Sequence, residues 1–152
     1  MVLAGHDQRG GDTARAAGFY LRASQQAVHV VDNEAAIVRA NLGLGCDPPP
    51  ELRIALLGIR CNASHRVQRH ALADAEELVR SAPRGSVPWA QGMASYQMAT
   101  LITGREQDFQ ASLALLAEVT PAPGAVGWIS VLFLSSTVLL DAFGRVAQAT
   151  AL

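Results

Sequence analysis

The fold is decided by residues 86–120, whose sequence is SVPWAQGMASYQMATLITGREQDFQASLALLAEVT. Ser86 and Pro88 open a helix, because serine is a common N-cap and the first helical turn tolerates a proline. Large apolar residues mark this helix and a second one over 106–119: Trp89, Met93, Tyr96 and Leu101 in the first, and Phe109, Leu113 and Leu116 in the second. The stretch therefore predicts two helices joined by a tight turn at Gly104.

The same order of a long helix, a tight turn, a shorter helix and a looser break recurs along the chain. The turns fall near positions 33, 69, 104 and 144, at separations of 36, 35 and 40 residues. No segment shows the alternation that is typical of strands. A helix pair cannot bury its apolar face alone, but stacked pairs can, and a period of about 37 residues is typical of such stacks. The sequence therefore predicts an all-α fold of about three and a half hairpins, in units near 12–47, 51–82, 86–121 and 124–152.

The composition excludes several classes of protein. Half of the residues are apolar, 16% are charged, and the formal net charge is −1. A disordered tail has fewer apolar and more charged residues, and a protein that binds nucleic acid through bulk charge needs an excess of cations. Two cysteines, Cys46 and Cys61, are too few for a disulfide framework and indicate reduced, partly buried thiols. With no signal peptide at the start of the sequence, we expect a cytoplasmic protein.

Residues 86–120 resemble a degenerate tetratricopeptide repeat (TPR). Four positions carry the aromatic or small residue of the family pattern: Trp89, Tyr96, Phe109 and Ser112. The chain departs from the pattern at Gly92-Met93, where the family has Leu-Gly, and at Arg105, where it has a small alanine. The resemblance implies a right-handed superhelix, or solenoid, of antiparallel helix hairpins.

A second resemblance covers essentially the whole chain. Residues 6–23, HDQRGGDTARAAGFYLRA, together with residues 32–45 and 82–89, resemble the C-terminal helical-repeat region of large serine/threonine kinase and ATPase signalling proteins of myxobacteria-like bacteria. The resemblance implies that the repeats bind partners, or relay their binding to a catalytic part that lies N-terminal to these residues. Because the last residues form an unfinished helical pattern, we expect the chain to be a fragment of a longer array.

No catalytic motif stands out in the sequence. A phosphate-binding loop ends in Lys, and the chain contains no Lys. The neighbouring carboxylates Glu76 and Glu77 indicate a solvated helix face paired with Arg80, and Glu106 and Asp108 suit the positive end of a helix dipole. We therefore expect no catalytic residue, no cofactor and no small-molecule substrate.

Metal binding and catalysis are alternative roles for the cysteines and histidines. Cys61 and His65 lie four residues apart on one predicted helix face, with Cys46 and His70 nearby in sequence, and four such ligands suit zinc. The spacing matches no zinc motif, so a buried cysteine beside surface histidines is favoured. A small helical enzyme would need Cys61, His65 or His70 gathered in one pocket.

A membrane-associated module that uses residues 125–140 is a further alternative. Residues 119–140 carry no charge, and Trp128–Leu140 is almost continuously apolar. A bilayer needs about 18–20 apolar residues, whereas this stretch has about 13 and follows Pro121 and Pro123. The repeat phase instead favours a helix of the fourth unit that is buried between its neighbours.

A binding surface is the function that the repeat pattern favours. In stacked hairpins the first helices line a concave groove. The phase of the third unit, shifted by about 35 and about 39 residues to the neighbouring units, predicts this groove: Asn62, Arg66, Ala94, Gln97, Met98, Phe133 and Ser136. Such side chains suit an extended peptide or a partner helix. We therefore expect a protein or peptide partner, including neighbouring domains of the same chain, and no nucleic acid; for each residue, packing against the neighbouring repeat is the alternative.

Overall fold

The computed structural model describes residues 12–67, 69 and 72–142, and this part of the chain contains helices and no strand. The predicted all-α class is confirmed at this level. The predicted helix after Phe143 and the positions Gln68 and His70 lie outside the described residues. Seven helices are described, numbered here in chain order: α1 (Thr13–His29), α2 (Asn33–Leu44), α3 (Pro50–Arg66), α4 (Leu72–Ser81), α5 (Val87–Ile102), α6 (Glu106–Ala117) and α7 (Val126–Ala142).

Side-chain caps and prolines fix where several helices begin. Asp12 and Asp32 cap α1 and α2, each carboxylate accepting a hydrogen bond from the backbone N–H three residues on at 3.0 Å. Ser86 accepts in the same way at 3.4 Å at the start of α5. Pro50 stands in the first turn of α3, where its missing N–H leaves no acceptor unpaired. The N-cap predicted at residues 32–33 is therefore confirmed.

The helices contact one another in a regular order. Each odd-numbered helix lies against the next odd-numbered helix: α1 against α3, α3 against α5, and α5 against α7. α2 lies against α1 and α3, α4 lies against α3 and α5, and α6 lies against α5. The odd-numbered helices are therefore side by side, with the even-numbered helices packed behind them.

Gly85 joins two of the breaks between helix pairs. Its carbonyl oxygen accepts a hydrogen bond from Ala122 N at 3.0 Å, so the loop before α5 lies directly against the loop before α7. Its φ of +80° is in the region that favours glycine, and a Cβ atom there would lie 2.2 Å from Thr120 O. A side chain at this position would therefore force the two loops apart.

The core changes in character along the chain. Its largest cluster joins α3 to α7 around Trp89 and Met93, which pack with Leu57, Leu78 and Leu116. The helices α1 and α2 meet mainly through small residues that are at most 1% exposed: Ala16, Ala17, Ala27, Ala36 and Ala40. Alanine favours helix and lets backbones approach closely, which accounts for much of the alanine in the sequence.

Candidate binding groove

Three adjoining cavities lie along the odd-numbered helices. The first, about 350 Å³, is lined by α1, α3, α5 and Trp128 of α7. The second, about 190 Å³, is lined by α3, α5 and α7, and shares Gln91 and Trp128 with the first. The third, about 330 Å³, lies between α5 and α7 and shares His65 and Ala94 with the second. We call this continuous depression the odd-helix groove.

Five of the seven predicted groove residues line these cavities. Asn62 and Arg66 of α3 line the second cavity together with Ala94 of α5. Ala94, Gln97 and Met98 line the third. Positions three and four apart share a helix face, so the phase of the third unit places these α5 side chains together.

The two predicted residues of α7 do not line the groove. Ser136 is fully buried where α7 meets α5, and Phe133 is half-buried against the largest core cluster. Leu134 and Val138 line the third cavity in their place. The prediction for α7 is therefore corrected to a neighbouring face of the same helix.

The physical reason for this correction is a register error of one residue. The predicted shift of about 39 is the spacing of Trp89 and Trp128, whereas the Gly-Arg turns of the same two units are 40 residues apart. Ala94 and Leu134, both in the groove, follow the spacing of 40. The two tryptophans are not equivalent, since Trp89 is 2% exposed and Trp128 is 37% exposed. One residue rotates a helix position by about 100°, enough to move a side chain off the groove.

The helix α7 presents a row of exposed apolar side chains to the groove. Trp128, Val131, Leu134 and Val138 follow one another in steps of three and four, and the last three are 60%, 66% and 58% exposed. The predicted burial of this helix on most sides is therefore wrong, because only one face is covered. Contiguous exposed apolar surface is typical of interaction sites. Within the described part of the chain, no helix is both long and apolar enough to cross a membrane.

Charge is divided between the groove and the opposite side. Among the described residues that line the three cavities there is no Asp or Glu, and Arg66 is the one arginine. The acidic side chains of α2, α4 and α6 and of Glu118 form a surface that we call the even-helix face. It carries the ion pairs Arg53–Glu77, Arg60–Asp74, Arg69–Glu34, Arg84–Glu118 and Arg105 with both Glu76 and Asp108.

The carboxylates of α4 pair across helices. Glu77 accepts two hydrogen bonds from the Arg53 guanidinium, at 2.5 and 2.9 Å, and Glu76 accepts one from Arg105 at 2.8 Å. This corrects the predicted pairing with Arg80 on the same helix. The hydrogen bonds from Arg53 hold the pKa of Glu77 below its ordinary value. The even-helix face is therefore cross-linked by charge, which the groove is not.

A buried polar pair joins α5 to α7 beside the third cavity. Ser136 Oγ donates to Gln97 Oε1 at 2.7 Å and also lies 2.8 Å from Leu132 O. Gln97 is 1% exposed, and its Nε2 has no hydrogen-bond acceptor among the described residues. A buried donor without an acceptor costs about 1–3 kcal/mol. The sequence placed Gln97 in the groove but gave no signal for this open donor.

The cysteines and histidines are not gathered in one pocket. Cys61 is fully buried in the largest core cluster, and burial raises the pKa of its thiol to about 12, so the thiol stays protonated. Cys46 is also free and buried. His65 lines the groove, and His70 lies outside the described residues. Within residues 12–67, 69 and 72–142, no three metal-ligating side chains come together.

Comparison with known proteins gives no relative for this chain. No family model, curated protein or solved structure matches it. The groove and the resemblances in the sequence are therefore the basis for a functional proposal.

Proposed function

We propose that the chain is a non-catalytic protein-binding module that holds an apolar segment of a partner protein in the odd-helix groove. The observation that carries this proposal is the row Trp128, Val131, Leu134 and Val138, which is exposed along three continuous cavities. Burying such side chains is worth about 25 cal/mol per Å² of apolar area, which is the main source of affinity in groove-bound peptides.

The proposal extends to the architecture. We infer that the hairpins form a right-handed, tetratricopeptide-like solenoid in which the groove is the concave surface. Two observations support it: the contacts between successive odd-numbered helices, and the contact between the loops at Gly85 and Ala122. In a solenoid each unit contacts only its neighbours, and equivalent loops stack on one side.

The sequence resemblance supports a wider role. We propose that the module is a regulatory scaffold of a cytoplasmic bacterial signalling protein with a serine/threonine kinase and an ATPase part. Residues 6–23 carry the strongest part of that resemblance. Under this proposal the bound segment belongs to a partner or to another domain of the same protein.

Peptide selection tests the groove directly. A random 12-residue display library is selected on the full chain, and the enriched peptides are then measured against Leu134→Asp. We expect enriched peptides rich in apolar residues that lose at least about 10-fold in affinity, because the new carboxylate would be buried against apolar side chains. Fluorescence anisotropy with the synthetic peptides measures the loss.

Val38→Asp is the matched control, since Val38 is an exposed apolar residue of α2 outside the groove. Val38 is 55% exposed and Leu134 is 66% exposed, so both variants are expected to fold, which circular dichroism checks. Peptides that bind Val38→Asp as tightly as the wild type support the groove. Equal loss in both variants, or loss in Val38→Asp alone, contradicts the proposal.

A further inference from the structure

The third cavity contains one polar group that the protein leaves open. Gln97 Nε2 is buried and has no acceptor among the described residues, while Oε1 of the same amide is held by Ser136 at 2.7 Å. The remaining side chains around this cavity are mostly apolar, including Met98, Leu134 and Val138. An amide donor fixed at an apolar cavity is typical of a site that orients a ligand through one hydrogen bond.

We propose that Gln97 is a specificity-determining residue of the groove, and that Nε2 donates to a main-chain carbonyl oxygen of an extended partner segment whose neighbouring apolar side chain fills the third cavity. This inference rests on the proposed function. The donor is uncharged and buried, so its complement is a neutral acceptor; a carboxylate would have to give up its hydration in an apolar cavity.

An extended segment supplies that acceptor better than a helix does. The carbonyl groups of a helix are paired within the helix, apart from those of its last turn. An extended chain without a partner strand leaves every carbonyl free, and its side chains alternate between two sides. One side chain can therefore enter the cavity between α5 and α7 while the adjacent carbonyl meets Gln97 Nε2.

Two small probes of nearly equal shape test the acceptor site. Cyclohexanone carries a carbonyl oxygen where methylenecyclohexane carries a CH₂ group, and both are titrated into the ¹⁵N-labelled full chain. We expect cyclohexanone to shift the side-chain amide resonances of Gln97 downfield, and to bind about 2- to 10-fold more tightly, the worth of one neutral hydrogen bond. Equal affinity of the two probes in the wild type, or no binding of either probe near Gln97, overturns the inference.

Gln97→Met removes the donor at nearly constant volume, and Gln91→Met is its matched control. Gln91 lines the first and second cavities but not the third. We expect Gln97→Met to bind methylenecyclohexane as the wild type does and to lose the preference for cyclohexanone, whereas Gln91→Met keeps it. A preference that survives in Gln97→Met overturns the inference, and so does one lost equally in both variants.

Thermal stability separates this role from a structural one. Because Gln97→Met removes a buried donor without an acceptor, its melting temperature should not fall below that of the wild type. A large fall with an unchanged probe preference would show that Gln97 serves packing alone. If Leu134→Asp weakens the selected peptides while the two probes bind the wild type equally, the proposed function stands and the Gln97 inference fails.

Discussion

The odd-helix groove and the even-helix face use polar side chains in opposite ways. On the even-helix face, Arg53, Arg60 and Arg105 connect neighbouring helices through carboxylates of α4 and α6. In the groove, no acidic residue lines the described cavities, and the buried amide of Gln97 keeps an open donor. One surface satisfies its polar groups internally, and the other leaves apolar area and one donor for another molecule.

This difference follows from what each side has to do. An exposed ion pair adds little stability but fixes which helices are neighbours, so the even-helix face can hold the register of the stack. A groove that satisfied itself in the same way would have no free energy left for a ligand. The comparison can be broken or sharpened by paired substitutions, one on each side of it.

The largest expected difference is between the two tryptophans. Trp89→Ala should cost about 3–5 kcal/mol of unfolding free energy, because it empties the centre of the largest core cluster. Trp128→Ala should cost less than about 1 kcal/mol, because Trp128 is 37% exposed in the groove. Urea unfolding followed by circular dichroism measures both values.

Similar losses in the two variants would contradict the register of 40 residues, since they would make the tryptophans structural equivalents. A binding measurement sharpens the result. Trp128→Ala should weaken the selected peptides although it leaves the fold nearly unchanged, because Trp128 lines the first and second cavities.

Two helical glycines give the next largest difference. A Cβ on Gly92 would lie 2.6 Å from Leu78 Cβ, so Gly92→Ala forces α4 and α5 apart at a cost of about 1–3 kcal/mol. A Cβ on Gly127 of α7 would have nothing within 4 Å, and Gly127→Ala should stabilise by up to about 1 kcal/mol. Melting temperatures that move in opposite directions are the expected result, and a fall in both would show that α7 is covered near Gly127.

The helices could be predicted from the sequence because their signals are local. The caps Asp32 and Ser86 and the breakers around Pro49 act within one turn, so the bounds of α2, α3 and α5 lie close to those predicted. The groove residues of α3 and α5 followed from helix phase. Phase within one helix is fixed by its own residues, which is why five of the predicted positions line the cavities.

Relations between helices could not be predicted in the same way. The α7 positions needed the repeat length to one residue, and two markers in the sequence disagreed, 39 from the tryptophans and 40 from the turns. The partner of Glu77 needed the distance between α3 and α4, which no local pattern contains. The open donor of Gln97 needed the position of Ser136 on a helix 39 residues away.

A smaller difference separates two arginines of α3. Arg53→Met should cost up to about 1 kcal/mol, since it removes a bidentate pair with Glu77. Arg66→Met should change stability by less than about 0.5 kcal/mol, because no described residue forms an ion pair with Arg66. Chemical unfolding at neutral pH measures both, and a greater cost for Arg66→Met would show that the groove is braced by charge after all.

The smallest expected effect is the pH dependence of the same pair. The Arg53 guanidinium lowers the pKa of Glu77 from its ordinary value of 4.5, so the pair contributes stability above about pH 4.5 and loses it as the pH falls through the lowered pKa. Wild type should therefore exceed Glu77→Gln by less than about 1 kcal/mol at neutral pH, and the two should converge in acid, where a protonated Glu77 resembles glutamine. In an Arg53→Met background Glu77→Gln should lose most of this pH-dependent difference, since the cation that sets the pKa is gone; a difference that grows in acid, or one that persists in that background, would locate the charge coupling elsewhere on the even-helix face.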